Sequence, residues 1–204
     1  MMSSPAAQRN KAPIAEILGQ YLGRSAGGNI LEIASGDGTH VRHLASAFPH
    51  WTWQPTELEP QLVQRIMDGL NHSNSNSNIL KPFILDVSDP MRLNDVGGPF
   101  QAMLNVNMTH ISPFSATRGL FAWAGSVLDA DKEGRLFMYG PFSENGLITP
   151  DSNVRFDAML KSSDPSWGIR DLAQLTEEAA SNNLRLEAAH EMPANNKIYV
   201  FRKY

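Results

Sequence analysis

Asn29-Ile30-Leu31-Glu32-Ile33-Ala34-Ser35-Gly36-Asp37-Gly38-Thr39-His40 contains both an apolar run and a glycine pair. The run, Ile30 to Ala34, has the length of a buried parallel strand. It stops at Gly36 and Gly38, after which Val41, Leu44, Ala45 and Phe48 recur at helical spacing. The pattern predicts strand, tight turn, helix. In a doubly wound sheet such a turn lies at the carboxyl end of a strand, where ligands bind, and glycine leaves room for a ligand against the backbone.

Two cofactor classes use a turn of this kind. A dinucleotide site wants G-x-G-x-x-G, and Val41 stands where the third glycine would be. An S-adenosylmethionine site more often has an acid followed by two glycines, E-x-x-x-G-x-G, which Glu32, Gly36 and Gly38 satisfy with Ser35 inside the turn. That cofactor has no pyrophosphate and less need of a bare helix N-terminus. The glycines alone are equally consistent with a plain strand-to-helix connection.

Spacing beyond the turn adds two acids. The strand predicted over Trp51 to Thr56 ends in Glu57, about 20 residues after Gly38, where a carboxylate accepts the ribose hydroxyls of a nucleoside. The next predicted strand, Ile79 to Leu85, ends at Asp86-Val87, an acid for the adenine amino group beside a backbone N–H for a ring nitrogen. Between them lie an amphipathic helix after Pro60 and a polar tract, His72 to Asn78, expected as a flexible surface loop. A first helix is expected from near Pro13, with Ile14, Ile17, Leu18, Tyr21 and Leu22 as its apolar stripe.

A fourth strand is predicted over Phe100 to Val106, a helix after Pro113 and a fifth strand over Arg135 to Tyr139. Residues 141–169 are rich in Pro, Gly, Ser and Asn and hold one short predicted helix, Val154 to Leu160. A helix over Ile169 to Ala180 follows. The strands Leu184 to His190 and Lys197 to Phe201, joined by the turn Met192 to Asn196, make an antiparallel pair. Five alternating strands and a final hairpin are the class I methyltransferase order, whereas a dinucleotide fold continues with parallel crossovers. The expected fold is therefore α/β and Rossmann-like: a seven-stranded, mostly parallel sheet with a C-terminal antiparallel hairpin and helices on both faces, in one domain over 1–204. S-adenosylmethionine becomes the expected cofactor.

Bulk composition sets limits on partners. With 204 residues, 19% charged, 42% apolar and a net charge of −4, the chain is an ordinary globular sequence with no electrostatic case for nucleic acid or an anionic membrane. It has no cysteine, so disulfides and thiolate chemistry are excluded, and a cytoplasmic location is the expectation. His40 and His43 sit three apart on one helix without a third ligand spaced to join them, and no metal is expected. Ser35, Asp37 and His40 lack the G-x-S-x-G context of a hydrolase nucleophile.

Methyl transfer asks mainly for alignment and exclusion of water, with a base where the acceptor arrives protonated. His110, just after the fourth strand, is the candidate base, and Asn107 a candidate for the methionine portion of the cofactor or for orienting substrate. Residues 141–169 are the expected substrate cover. Arg155, Asp157 and Arg170 supply charge there, Phe142, Phe156 and Trp167 supply apolar walls, and Asn195 reaches in from the last turn. The substrate class that suits this mixture is a small polar organic molecule.

Several of these stretches also resemble the methyltransferase-like 26 family: Ser4 to Lys11, Leu31 to Gly36, Trp53-Gln54-Pro55, Tyr139 to Phe142, Ser152 to Asp157, Gly168 to Asp171 and Met192 to Asn196. That family is a set of class I methyltransferase-like proteins of mostly unassigned substrate, and the resemblance spans nearly the whole chain. It implies that the N-terminal segment, residues 1–12, folds across the cofactor site as a lid, with Arg9 and Asn10 at the cofactor. Tyr139 and Asn153, which stand in the resembling motifs, join the substrate set. Glu57 departs from the Asp common in the family, and the Ser-Asn tract is an expanded loop. Two functions are expected from all this: methylation of a small organic molecule on O or N, or binding of S-adenosylmethionine or S-adenosylhomocysteine (SAH) by a non-catalytic regulatory or interaction protein.

Overall fold

In the computed structural model, which describes residues 5–23, 27–71, 77–89 and 96–204, the strands are β1 (Gly28–Ile33), β2 (Trp51–Glu57), β3 (Phe83–Ile84), β4 (Ala102–Val106), β5 (Arg135–Gly140), β6 (Phe142–Ser143), β7 (Arg170–Asp171), β8 (Leu184–Met192) and β9 (Asn196–Lys203). The helices are α1 (Pro5–Leu22), α2 (Thr39–Ala47), α3 (Pro60–Asn71), α4 (Phe114–Val127), α5 (Asp151–Ser163) and α6 (Leu172–Ser181). The main sheet has seven strands in the order β3-β2-β1-β4-β5-β9-β8. β1 to β5 run parallel, and β9 is antiparallel to both β5 and β8. This is the expected architecture.

Its central strands read as apolar runs because both faces are covered. Ile30, Leu104, Phe137, Tyr139, Ile198 and Val200 pack with Ile14 and Leu18 of α1 and Val41 and Leu44 of α2. Their neighbours Leu31, Met103, Leu136, Met138, Tyr199 and Phe201 point the other way, onto Leu120, Phe121 and Trp123 of α4 and Leu175 of α6. From β1 the chain winds outward through β2 and β3, then returns to lay β4 on the other side of β1. This reversal opens a crevice at the carboxyl ends of β1 and β4.

Local expectations need four corrections. The first helix begins at Pro5 rather than near Pro13, which lies inside it; Ala6, Ala7, Gln8, Arg9, Lys11 and Ala12 are strong helix formers, and Pro5 takes the first-turn role. The third strand shrinks to β3 plus an isolated bridge between Trp53 and Ile79. Pro82 has no N–H for a ladder, and the side chain of Gln54 bonds the Lys81 carbonyl instead. α5 is longer than the short helix expected inside 141–169. The last helix starts at Leu172 rather than Ile169, because Arg170-Asp171 first pairs in parallel with Phe142-Ser143 and Asp171 then caps the helix through the Ala173 N–H. Of the polar tract His72 to Asn78, residues 72–76 lie outside the described residues, as do residues 1–4 of the N-terminal segment. Among the described residues no helix is long and apolar enough to cross a membrane.

Candidate functional site

The turn after β1 is built from left-handed residues: φ is 58° at Ala34, 59° at Gly36 and 76° at Gly38. Its two glycines do different work. A Cβ on Gly36 would meet nothing within 4 Å, so this backbone stands open to the crevice. A Cβ on Gly38 would come within 2.9 Å of the Arg42 guanidinium and 3.2 Å of Ile66, so Gly38 serves the packing of α2 against α3. Asp37 accepts hydrogen bonds from the Thr39 N–H (3.0 Å) and hydroxyl (2.6 Å) at the start of α2. From the end of β2, the Glu57 carboxylate accepts the Gly36 N–H at 2.7 Å and the Leu58 N–H at 2.8 Å. Glu57 thus grips the turn from the neighbouring strand.

Glu32 lies behind the turn rather than in the crevice. It is 1% exposed, and one carboxyl oxygen has no hydrogen-bond partner. Burial pushes its pKa up to about 8, and the nearby Glu57 charge acts in the same direction.

A cleft of about 930 Å³ opens over these strand ends. Ser35, Gly36, Glu57, Asp86, Val87 and Asn107 line it among the predicted residues, together with Leu58, Leu62 and Leu85 and with Ala6 and Ala7 of α1. Asp86 accepts the Ser88 N–H at 2.9 Å and the Ser88 hydroxyl at 2.6 Å, which holds the chain in a turn as it leaves β3. Gly119 of α4 lets this turn sit close: a Cβ there would lie 1.9 Å from the Val87 carbonyl oxygen.

A second cavity of about 550 Å³ shares Ala6 and Asn107 with the first. Arg9, Asn10, His110, Tyr139, Asn153, Phe156 and Asn195 line it. Asn107 adopts φ 66° at the exit of β4, with its N–H on the Tyr139 carbonyl at 2.9 Å. His110 is 4% exposed; its buried Nδ1 has no partner, and its ring meets Phe156 edge-on at 5.4 Å. Burial, with the Arg170 charge adding to it, lowers the His110 pKa to about 4. Asn10 Oδ1 lies 2.8 Å from His40 Nε2 and ties α1 to α2, and His40, also lowered to about 4 by burial, lines the larger cleft. Burial raises the pKa of Tyr139, against a hydrogen bond with Asn10 that lowers it.

Other predicted residues are placed elsewhere. Arg9 and Asn10, expected at the cofactor, line the smaller cavity, and Gly38 and Glu32 line neither. Phe142 is buried in the core with its ring 4.7 Å from that of Tyr199. Arg155 is exposed on α5, and neither it nor Trp167 is among the lining residues. Arg170 is consumed by structure: its guanidinium donates to the carbonyls of Thr109, Ser112 and Ser166 and sits 5.6 Å from the Phe114 ring centroid. Segment 141–169 reaches the smaller cavity only through Pro141, Ser152, Asn153 and Phe156. Sequence reasoning missed Leu58 and Leu62 as cleft residues: Leu58 directly follows Glu57, an apolar residue exposed at a strand exit, and Leu62 stands on the first turn of α3.

A family model described as "Protein of unknown function (DUF938)" matches residues 1–203. Among solved structures, an O-methyltransferase family protein from Burkholderia thailandensis superposes with a TM-score of 0.79 at 14% identity, over 97% of this chain and 57% of its own. An O-methyltransferase family 2 protein from Planctomyces limnophilus, in complex with apigenin, gives 0.74 at 17% identity over 100% and 62%. A methyltransferase of calicheamicin biosynthesis, in an SAH-bound form, gives 0.73 at 15% identity over 98% and 54%. At these identities the likeness is one of fold, and the chain spans little more than half the length of the structures it matches.

Proposed function

We propose, on the premise that this chain belongs to the DUF938 family, that it is an S-adenosylmethionine-dependent methyltransferase acting on a small organic molecule. One observation carries this reading: two cavities at the carboxyl ends of the parallel strands meet at Asn107, with carboxylates on one side and an unpartnered histidine on the other. The methyltransferase fold of the solved structures and the resemblance to the methyltransferase-like 26 family support it.

The larger cleft fits the cofactor. The open backbone at Gly36 leaves space that would take the amino-acid portion, Glu57 would accept the ribose hydroxyls, Asp86 and the Val87 N–H would meet the adenine, and Leu58, Leu62 and Leu85 would offer apolar walls to the ring. When bound, S-adenosylmethionine supplies a sulfonium methyl that an oxygen or nitrogen atom takes by in-line displacement. Asn107, at the junction, orients the acceptor. Burial keeps His110 neutral at physiological pH, so its imidazole is free to accept a proton. An attacking hydroxyl becomes strongly acidic as its bond to carbon forms, so a weak base suffices. Residues 5–12 of α1 close the cleft through Ala6 and Ala7.

Calorimetry with S-adenosylmethionine, SAH and NAD tests the reading. Binding of the first two without NAD is the expected result, followed by methylated product in a metabolite screen; NAD binding alone, or no binding, overturns it. The low basicity of His110 favours a second reading, a non-catalytic binder of the same cofactor. Cofactor binding with no methylated product from any metabolite would select it.

A further inference from the structure

The smaller cavity has an uneven charge. Among the described residues that line it there is no carboxylate, and the one formally charged side chain at neutral pH is Arg9. Arg9 is exposed on α1 and has no hydrogen bond or ion pair with any described residue, although its charge acts on the Tyr139 hydroxyl. An Arg head group is a planar fork of donors that matches a carboxylate, and a single guanidinium suits a monoanion better than a phosphate dianion. The Phe156 ring, edge-on to His110 at 5.4 Å, offers an apolar wall. Asn153 has both amide hydrogens committed, to the carbonyls of Thr149 (2.9 Å) and Asn195 (3.2 Å), so only its acceptor oxygen is left for a hydroxyl or N–H of a ligand. His110, nine-tenths buried and unpartnered at Nδ1, lines the same cavity beside Asn107: a Cβ on Gly140 would lie 3.4 Å from His110 Nδ1 and 3.7 Å from Asn107 Oδ1.

Resting on the methyltransferase reading, we propose that the methyl acceptor is a small carboxylate-bearing molecule: its carboxylate pairs with Arg9, its body lies against Phe156, and its nucleophilic group points to Asn107 and His110. A primary amine in cationic form meets no counter-charge in this cavity and is rejected.

The test uses the full chain. Calorimetry with SAH comes first and addresses the cofactor cleft alone. Two matched sets are then titrated at saturating SAH: 4-hydroxybenzoate, 4-hydroxybenzamide and tyramine, and 3-hydroxybutyrate with its amide. The carboxylate of at least one set is expected to bind about tenfold or more tightly than its amide, with tyramine not binding. Arg9→Gln is expected to abolish that preference and leave SAH affinity within about twofold, and Arg9→Lys to retain part of it. Equal binding of carboxylate and amide, binding of neither carboxylate, or a preference that survives Arg9→Gln overturns the proposal. So does an Arg9→Gln variant whose loss is in SAH affinity, since the guanidinium would then belong to the cofactor's own carboxylate. If SAH fails to bind but the carboxylate preference exists and depends on Arg9, the methyltransferase reading falls and the anion site stands.

Discussion

Glu57 joins two tasks in one carboxylate, because it accepts the Gly36 N–H at 2.7 Å and also faces the larger cleft. A charge-assisted hydrogen bond contributes about 1.5–3 kcal/mol, so Glu57→Ala is expected to weaken SAH binding roughly 10- to 100-fold in calorimetry. Glu57→Asp, which keeps the charge on a shorter arm, should lose much less. Glu32 makes the opposite case. Its folded pKa of about 8 lies above the ordinary carboxylate value, so the folded state holds the proton more tightly. The stability this brings is complete below the ordinary value and is lost as pH rises through 8. Glu32→Gln removes that loss, and its stability advantage over the parent in urea unfolding should grow between pH 5 and pH 8 by on the order of 3 kcal/mol. Glu57, Asp86 and Gly36 were legible because each stands at a strand end, where an apolar run is punctuated by one polar or flexible residue. Phe142 and Phe156 are chemically alike, yet one enters the core and the other the cavity. Nothing local separates them; the difference arises where Phe142 docks on Tyr199 of β9.

Elements set how closely these residues approach. α4 presses on the exit of β3 through Gly119, where a Cβ would lie 1.9 Å from the Val87 carbonyl oxygen. Gly119→Ala must therefore displace backbone, and a loss of about 1–3 kcal/mol or more in urea unfolding is expected, together with weaker SAH binding through the shifted Val87. α1 is divided by Pro13, which has no N–H for the Arg9 carbonyl. Its C-terminal part is anchored by Ile14, Leu18 and Leu22 in the core, whereas the part before Pro13 leans on the buried Asn10 and its bond to His40. Asn10→Ala leaves a buried imidazole nitrogen unpaired, at a cost of about 1–3 kcal/mol. Faster hydrogen exchange confined to the amides of residues 6–12 is the expected signature, and uniform exchange along α1 would contradict the lid assignment. The proposed lid role rests on the family resemblance, because polar residues such as Gln8, Arg9 and Lys11 look the same in a frayed tail and on a docked helix.

At the scale of the molecule, His40 in the larger cleft and His110 in the smaller cavity are both held near pKa 4 by burial. Their folded values lie below the free value, so the unfolded chain binds more protons between pH 6.5 and 4 and stability is lost as pH falls through that window. The loss amounts to roughly 3 kcal/mol per histidine. Both imidazoles should keep neutral chemical shifts at pH 5.5 in an NMR titration; a protonated His110 at that pH would contradict its buried placement. The alternation of strands and helices, the antiparallel closing pair and the places of Glu57 and Asp86 at the exits of successive strands could be read from the sequence alone. They depend on periodicity and on punctuation at strand ends, which are local in the chain. That Arg9, Asn107, Asn153 and Asn195 meet at one smaller cavity was decided only by the tertiary structure, since they come from four separate stretches of the chain. Arg170 was drawn away from them by three carbonyls that the fold brings within its reach. A side chain's partner in an irregular segment depends on how distant elements pack, and no local pattern carries that information.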